Sequence, residues 1–134
     1  MNHEGKLVAE KEIEVNNYDI DAMGVSNIVY VRWFEDLRTV FINQYMNYSE
    51  MIKNHISPIL MKTEIEYKVP ITIHDRPVGR CWLVQASKLK WVFKFEISSG
   101  DKVHCVGSQM GGFYDLDREK ITKMPQVFQD ILKN

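Results

Sequence analysis

The chain has 134 residues, of which 45% are hydrophobic and 26% are charged, and its formal net charge at pH 7 is −1. This length and composition are typical of one globular domain, so we expect residues 1–134 to form a single compact unit. The nearly balanced charge offers no broad basic face to a phosphate backbone, which excludes nucleic acid as an expected partner.

Signals for export, membranes and metals are missing from the sequence. The first residues lack the apolar run of a secretory signal, and no later stretch has the length of a transmembrane helix, so we expect a cytoplasmic protein without a membrane partner. Cys81 and Cys105 lie within apolar runs without a C-x-x-C spacing, which favours buried, reduced thiols. The histidines have no metal-ligand spacing and no nucleotide-binding glycine motif occurs, so we expect no metal and no cofactor.

The first half of the chain predicts a strand followed by a long helix. Residues 7–15 place glutamates along one side, as in a strand with one exposed face. Between residues 27 and 46, apolar residues recur at helical spacing around a narrow polar stripe; they are Tyr30, Trp33, Phe34, Leu37, Val40 and Phe41. We therefore expect a mostly buried helix whose aromatic side chains face the core, with some of them also lining a ligand pocket.

The second half changes to a period of two and predicts a sheet. Four strands are expected at residues 59–69, 78–87, 91–98 and 102–116, with a loop at 70–77 and a hairpin turn at 98–101. Gly107, Gly111 and Gly112 in the last strand indicate bulges or close backbone contacts. A short terminal helix is expected to begin near Pro125.

This order of elements predicts an α+β fold in which a curved antiparallel sheet covers one long helix. Such a sheet leaves edge strands and part of the helix surface exposed. Pairing of two copies edge to edge would bury both, so we expect at least a homodimer.

A turn-prone loop just before the helix contains Asp19 and Asp21. In a structural interpretation, one of these aspartates, or Ser26 or Asn27, caps the helix. In a chemical interpretation, Gly24 allows a ligand to approach the backbone, and the N–H groups at the helix start stabilise negative charge on a substrate oxygen. An acid beside such donors favours a hydrolase.

These residues resemble the hot-dog-fold acyl-CoA thioesterases of the 4-hydroxybenzoyl-CoA thioesterase type. The family pattern, roughly Asp-x-Asp-x-x-Gly-(His)-Val-x-Asn-x-x-Tyr-x-x-Trp/Tyr-x-Glu, is matched by Asp19, Asp21, Gly24, Asn27, Tyr30, Trp33 and Glu35. The order of elements and the late Gly-Gly-Phe-Tyr-Asp-Leu segment extend the resemblance over nearly the whole chain. It implies a hot-dog fold, in which the curved antiparallel sheet wraps around the long helix.

The resemblance also implies site residues. Asp21 would act as general base or nucleophile at a dimer interface, and the backbone N–H at about Asn27 would polarise the thioester carbonyl. Gly24, Val25 and Tyr30 would border the substrate, although many members carry a histidine where this chain has Val25. Both routes for Asp21 stay open, because an apolar pocket would strengthen it as a base and thiolate is a good leaving group for direct attack.

Basic residues are candidates for holding the phosphates of CoA. Lys88 and Lys90 could gather there with Lys94, Arg76 and Arg80. Scattered charge in contact with solvent is the alternative interpretation of the same residues.

The predicted function is hydrolysis of an acyl thioester, on CoA or on acyl carrier protein, to a free acid and a thiol. The alternative is a non-catalytic acyl-thioester binding protein with the same fold. A hot-dog dehydratase is disfavoured because the loop contains no histidine. The resemblance implies a homodimer, with a homotetramer left open, and the sequence does not determine the length or the aromatic character of the acyl group.

Overall fold

The computed structural model describes residues 8–21 and 24–133. The first part comprises strand β1 (Val8–Glu12), a 3₁₀ turn (Asn17–Asp19), the short strands β2 (Ile20–Asp21) and β3 (Gly24–Val25), and helices α1 (Asn27–Asn43) and α2 (Tyr48–Lys53). Four long strands follow, namely β4 (Ile56–Tyr67), β5 (Val78–Ala86), β6 (Trp91–Ser99) and β7 (Lys102–Asp115). The last elements are β8 (Lys120–Thr122), α3 (Gln126–Asp130) and a 3₁₀ turn (Ile131–Lys133).

The main sheet is antiparallel with the strand order β1-β5-β6-β7-β4, and β8 adds to β7. Three irregularities interrupt its register. The first lies between Leu60 and Lys62 in β4, and the second lies between Leu83 and Gln85 in β5. The third is at His104 of β7, which has no partner in β6 because Ile97 pairs with Cys105 and Ser98 pairs with Val103. Because a bulge bends its strand and increases the local twist, these irregularities favour a sheet that curves around α1.

The core lies between α1 and this sheet, as the aromatic spacing predicted. Phe34 stacks on Phe95 with ring centroids 4.4 Å apart, and Phe41 packs edge-on against Phe93 at 5.1 Å. A Cβ atom at Gly107 would lie 2.5 Å from Phe34 Cε2, so the sheet approaches the helix too closely there for any side chain. The glycine in β7 therefore serves a close contact rather than a bulge.

One charged side chain of α1 is buried in this core. Arg38 donates a hydrogen bond to the Gln109 side-chain oxygen, and its guanidinium lies 5.4 Å from the centre of the Trp91 ring. Gln109 in turn donates to the Thr63 hydroxyl (3.2 Å). Burial lowers the pKa of Arg38 from its ordinary value, because the charged form loses hydration that a neutral partner only partly replaces.

The predicted elements are confirmed in type, and their bounds differ. Helix α1 ends at Asn43, before the predicted end at residue 46, and residues 48–53 form a helix that the prediction missed. Strand β4 begins three residues earlier than predicted, and Pro58 is accommodated because β4 is an edge strand. Strand β8 was also missed, since three residues are too few to show a period. Residue 7 of the predicted first strand lies outside the described residues.

Within the described ranges, none of the helices combines the length and the apolar character that crossing a bilayer requires.

Candidate active site

The two aspartates before α1 lie in different environments. Asp19 is 1% exposed, and its carboxylate accepts hydrogen bonds from the Asn16 backbone N–H (3.0 Å) and from Arg32 Nη2 (2.8 Å). Its backbone oxygen also accepts from the Ser26 N–H (2.8 Å). Asp19 therefore ties the 3₁₀ turn to the start of α1, whereas Asp21 is exposed.

Helix α1 begins at Asn27 with Ser26 as its N-cap residue, and the Ser26 side chain makes no capping hydrogen bond. The expected side-chain cap is thus wrong for Ser26. The Val29 N–H donates to the Ser26 carbonyl oxygen (3.0 Å). The backbone N–H groups at a helix start carry the partial positive charge of the helix dipole, which favours a negatively charged oxygen beside them.

A cleft of about 360 Å³ opens at this end of α1. One wall consists of Asp21 and the residues around the helix start, which are Val25, Ser26, Asn27, Ile28 and Tyr30. The other wall consists of the end of β4 and the chain that follows it, residues 67–70, together with His104 of β7. Four predicted site residues, Asp21, Val25, Asn27 and Tyr30, are therefore brought together in one cleft.

Gly24 and Val25 hold this loop against the chain that follows β4. Gly24 has a φ of +117°, and a Cβ atom there would lie 2.7 Å from the Ile71 carbonyl oxygen. The same oxygen accepts a hydrogen bond from the Val25 N–H (2.8 Å). The positive φ and the close contact with Ile71 are sufficient to require glycine at this position. Val25 is only 6% exposed.

Tyr30 lies beneath the cleft with its ring 5.2 Å from that of Tyr67. Burial is the main cause that raises the pKa of Tyr30 above its usual 10; a hydrogen bond with the Ile71 backbone opposes this, and the Asp21 charge adds to the increase. The phenol therefore stays protonated at neutral pH.

Two further cleft residues, Tyr67 and His104, were missed by the sequence interpretation. The Tyr67 hydroxyl donates to the Asn27 carbonyl oxygen (3.1 Å), which links the end of β4 to the first turn of α1. In the sequence, Tyr67 is one of several residues on the apolar side of a strand that alternates apolar and polar residues, and nothing there marks it as a site residue. Its proximity to the helix start depends on the packing of β4 against α1, which no local pattern reveals.

His104 is 1% exposed, and both of its ring nitrogens have partners. Nδ1 lies 2.9 Å from the Val69 carbonyl oxygen, and Nε2 lies 2.7 Å from the Ser99 hydroxyl oxygen. Since a carbonyl oxygen can only accept, Nδ1 carries the proton and Nε2 accepts from Ser99. The loop before α1 has no histidine, as the sequence analysis noted, but the tertiary structure brings this one to the cleft from β7.

The lysines predicted to hold CoA phosphates lie elsewhere in the chain. Lys88 and Lys90 are in the turn between β5 and β6, at the end of the β6–β7 ladder where Trp91 pairs with Gly111. The cleft lies at the other end of this ladder, beyond the pair Ile97–Cys105. Six residues of strand separate these pairs, which is about 20 Å. Within one chain, the structure does not bring the two lysines to the cleft.

Arg80, another of the predicted phosphate ligands, is paired with a carboxylate. Its Nε donates to Glu10 Oε2 (2.8 Å), and its Nη1 donates to the Ser98 hydroxyl (3.1 Å). The Arg80 guanidinium is therefore already engaged by these two side chains.

Neither cysteine resembles a nucleophile. Both are free and buried, and burial raises the pKa of Cys105 to about 12 and that of Cys81 further. Both thiols therefore remain protonated at neutral pH. In the part of the chain that the structure describes, no three His, Cys, Asp or Glu side chains are grouped as metal ligands.

Comparison with known proteins relates this chain to one family. The model of the thioesterase-like superfamily matches residues 15–132. YneP of Bacillus subtilis strain 168, a candidate acyl-CoA thioesterase by name, is 32% identical over 92 residues, which are 67% of this chain and 67% of YneP.

Solved structures share the architecture at lower identity. The DHNA-CoA thioesterase of Staphylococcus aureus is 25% identical with a TM-score of 0.82, covering 92% of this chain and 85% of its own. A hypothetical protein of Staphylococcus aureus in complex with CoA is 12% identical with a TM-score of 0.87, covering 99% and 86%. These similarities confirm the hot-dog fold, and with the family match they establish that the chain belongs to the thioesterase-like superfamily, a family of thioester hydrolases.

Proposed function

We propose that this chain hydrolyses acyl-CoA thioesters to a free acid and CoA, with Asp21 and the start of α1 as the catalytic groups. The observation that carries the proposal is their shared cleft: an exposed carboxylate and the N-terminus of a helix without a side-chain cap border the same space. Family membership supports thioester hydrolysis as the reaction. CoA is supported as the thiol by the name of YneP and by the related fold in complex with CoA.

The thioester carbonyl oxygen would accept hydrogen bonds from backbone N–H groups at about Asn27. As the carbonyl carbon becomes tetrahedral, this oxygen becomes negatively charged, and the positive end of the α1 dipole stabilises that charge. The Tyr67–Asn27 hydrogen bond holds this first turn in place. Preorganised donors of this kind commonly contribute a factor of about 10² to 10³ to kcat.

Asp21 can supply the attacking group by either of two routes. As a general base, it takes a proton from water while the water oxygen bonds to the carbonyl carbon; the carbon–sulfur bond then breaks, and the CoA thiolate receives the proton. As a nucleophile, an Asp21 oxygen bonds to the carbon and expels the thiolate, and water then hydrolyses the resulting anhydride. Both routes need the carboxylate next to the helix start.

A homodimer is also part of the proposal. Strand β4 pairs only with β7 among the described strands, and it carries exposed apolar side chains at Leu60, Met61 and Tyr67. A second copy that adds its own β4 would satisfy the unpaired edge and cover these side chains. A role of Lys88 and Lys90 in CoA binding would then require a partner subunit that brings its β5–β6 turn towards the cleft.

The test compares wild type with Asp21→Asn on a panel of acyl-CoAs of different chain length and aromatic character, using a thiol-reactive dye to follow CoA release. Asp21→Asn keeps the shape of the side chain and removes the base and the nucleophile, so we expect kcat to fall by about 10² or more. Asp36→Asn, an exposed position on α1, is the matched control and should retain wild-type activity.

Full hydrolysis by Asp21→Asn would refute the role of this carboxylate. If the wild type binds acyl-CoA without releasing CoA at any chain length, the chain is a non-catalytic acyl-thioester binding protein. The same panel offered on acyl carrier protein determines which thiol carrier the chain prefers.

A further inference from the structure

His104 is the residue of the bulge in β7 that has no register partner in β6, and it forms part of one wall of the cleft while being almost fully buried. We propose that His104 is a positioning residue, which holds Asp21 next to the start of α1 by clamping the segment of residues 68–71. This inference rests on the proposed function, because it assigns a second role within the same reaction.

His104 forms hydrogen bonds to this segment with both its backbone and its side chain. Its backbone oxygen accepts from the N–H groups of Lys68 (2.8 Å) and Val69 (3.2 Å). Its Nδ1–H donates to the Val69 carbonyl oxygen (2.9 Å). The chain just after β4 is thus held by donors and acceptors of one residue, at the place where it leaves the sheet.

The clamped segment in turn positions the catalytic loop. The Ile71 carbonyl oxygen accepts from the Val25 N–H (2.8 Å) and lies against Gly24, where even a methyl group would not fit. Gly24 pairs with Asp21 across the short strands β2 and β3. A continuous series of contacts therefore runs from His104 through residues 69–71 and Gly24 to Asp21.

The geometry explains why this position carries histidine. A bulge re-aims a side chain that would otherwise follow the alternation of its strand. Burial of an imidazole is tolerable only if both nitrogens are hydrogen-bonded, and Val69 and Ser99 meet that requirement. The nitrogen that faces Val69 is the one close to the backbone, whereas the nitrogen at the tip faces Ser99.

Because the two ring nitrogens have different partners, two amide substitutions can test them separately. The amide nitrogen of His104→Asn can occupy the place of Nδ1 and keep the bond to Val69, whereas the amide of His104→Gln reaches the place of Nε2 and loses that bond. We expect His104→Gln to lower kcat by about 10-fold or more with little change in KM, since displacements of about 1 Å are costly at a reacting centre. His104→Asn should stay within about 3-fold of wild-type kcat.

Two additional measurements separate positioning from general stability. Ser99→Ala removes the partner of Nε2 but leaves the Val69 bond, so it should lower the melting temperature without lowering kcat. Hydrogen exchange at the Val25 amide needs no substrate, and it should be faster in His104→Gln than in the wild type and His104→Asn.

The proposal would be overturned if His104→Asn and His104→Gln had the same kcat, whether that value is lowered or not. It would also be overturned if the hydrogen-exchange rate of the Val25 amide in His104→Gln were the same as in the wild type. If His104→Gln does not fold, Gly24→Ala tests the same series of contacts from its other end, and wild-type kcat in that variant would overturn the proposal. A wild type that hydrolyses no thioester refutes the proposed function instead, and the exchange comparison still decides whether His104 holds the loop.

Discussion

At the scale of single residues, the two aspartates of the loop lie in different surroundings, which suit Asp19 to a structural role and Asp21 to the proposed chemistry. Asp19 is buried with a guanidinium and a backbone N–H as partners, so its charge stabilises the loop. Asp21 lies two residues further, exposed at the cleft, where a substrate can reach it. The family resemblance singles out Asp21 in the sequence, and the difference in burial gives a physical reason to treat the two acids differently.

Arg32→Ala tests the structural role of Asp19. The variant leaves a carboxylate that is 1% exposed without its guanidinium partner, and hydrogen bonds to charged groups contribute about 1.5–3 kcal/mol. We expect the free energy of unfolding, measured in urea, to fall by about that amount. Arg118→Ala is the control: its pair with Asp115 is exposed and 3.8 Å long, so it should change stability by less than about 0.5 kcal/mol. Equal effects of the two substitutions would contradict the assigned role of Asp19.

Asp75, in the loop between β4 and β5, makes stability depend on pH. Hydrogen bonds from the Thr72 backbone, with a further contribution from Lys102, lower the pKa of Asp75 to about 2. A carboxyl whose pKa is lower in the folded state stabilises the protein above its unfolded pKa of about 3.9, and this contribution is lost as the pH falls to about 2.

We therefore expect Asp75→Asn to have a lower melting temperature than wild type at pH 7, because the charged carboxylate and its bonds are lost. The difference should shrink as the pH is lowered from about 4 to about 2. Melting curves of both proteins across this range provide the measurement. A difference that is constant over the range would show that Asp75 contributes by its shape and not by its charge.

At the scale of elements, the contact between α1 and β7 determines how closely the helix lies on the sheet. Phe34 covers Gly107 and stacks on Phe95, so one aromatic ring fills the space above two neighbouring strands. The same helix begins at Asn27, whose carbonyl oxygen accepts from Tyr67 of β4. The packing of the core and the geometry of the cleft are therefore linked through one helix.

Gly107→Ala should destabilise the fold, because the new methyl group would lie 2.5 Å from the Phe34 ring and 2.8 Å from the Glu64 carbonyl oxygen. Overpacking of a core typically costs about 1–3 kcal/mol, and chemical denaturation would measure this loss. Gly100→Asn is the control, since Gly100 has open space around it and a φ of +58°, which asparagine tolerates. Wild-type stability of Gly107→Ala would contradict the close packing of α1 on β7.

At the scale of the whole molecule, the main sheet ends at the edge strand β4. Among the described strands β4 has one paired side, and Met61 lies at its bulge with 47% of its surface exposed. An exposed edge strand with apolar side chains favours association with another strand. The proposed homodimer would convert this edge into the centre of a longer sheet.

Light scattering after gel filtration would test the dimer, with an expected mass of twice the 15.8 kDa of one chain. Met61→Lys places a charge at the proposed interface and should shift the mass towards that of one chain. Leu89→Lys, at a residue 51% exposed in the β5–β6 turn, should leave the dimer intact. A wild type with the mass of a single chain would refute the homodimer.

The sequence by itself determined the type and order of the main elements. Apolar residues at a spacing of 3.6 along α1 and at a spacing of two along β4 and β6 are local properties, because each strand or helix must present one face to a core. The acidic loop and Gly24 were equally visible, since turn chemistry depends on neighbouring residues. These features were sufficient to predict the fold class, and the family resemblance that they carry pointed to Asp21 as the proposed catalytic residue.

Only the tertiary structure decided which residues surround that aspartate. Tyr67 and His104 reach the cleft through the pairing of β4 with β7 and through a bulge, and both depend on partners far away in the sequence. For the same reason the strand register separates Lys88 and Lys90 from the cleft by about 20 Å. The sequence interpretation had predicted that these two lysines bind the substrate. Local patterns are set by neighbours along the chain, whereas a site is set by the long-range packing that brings distant neighbours together.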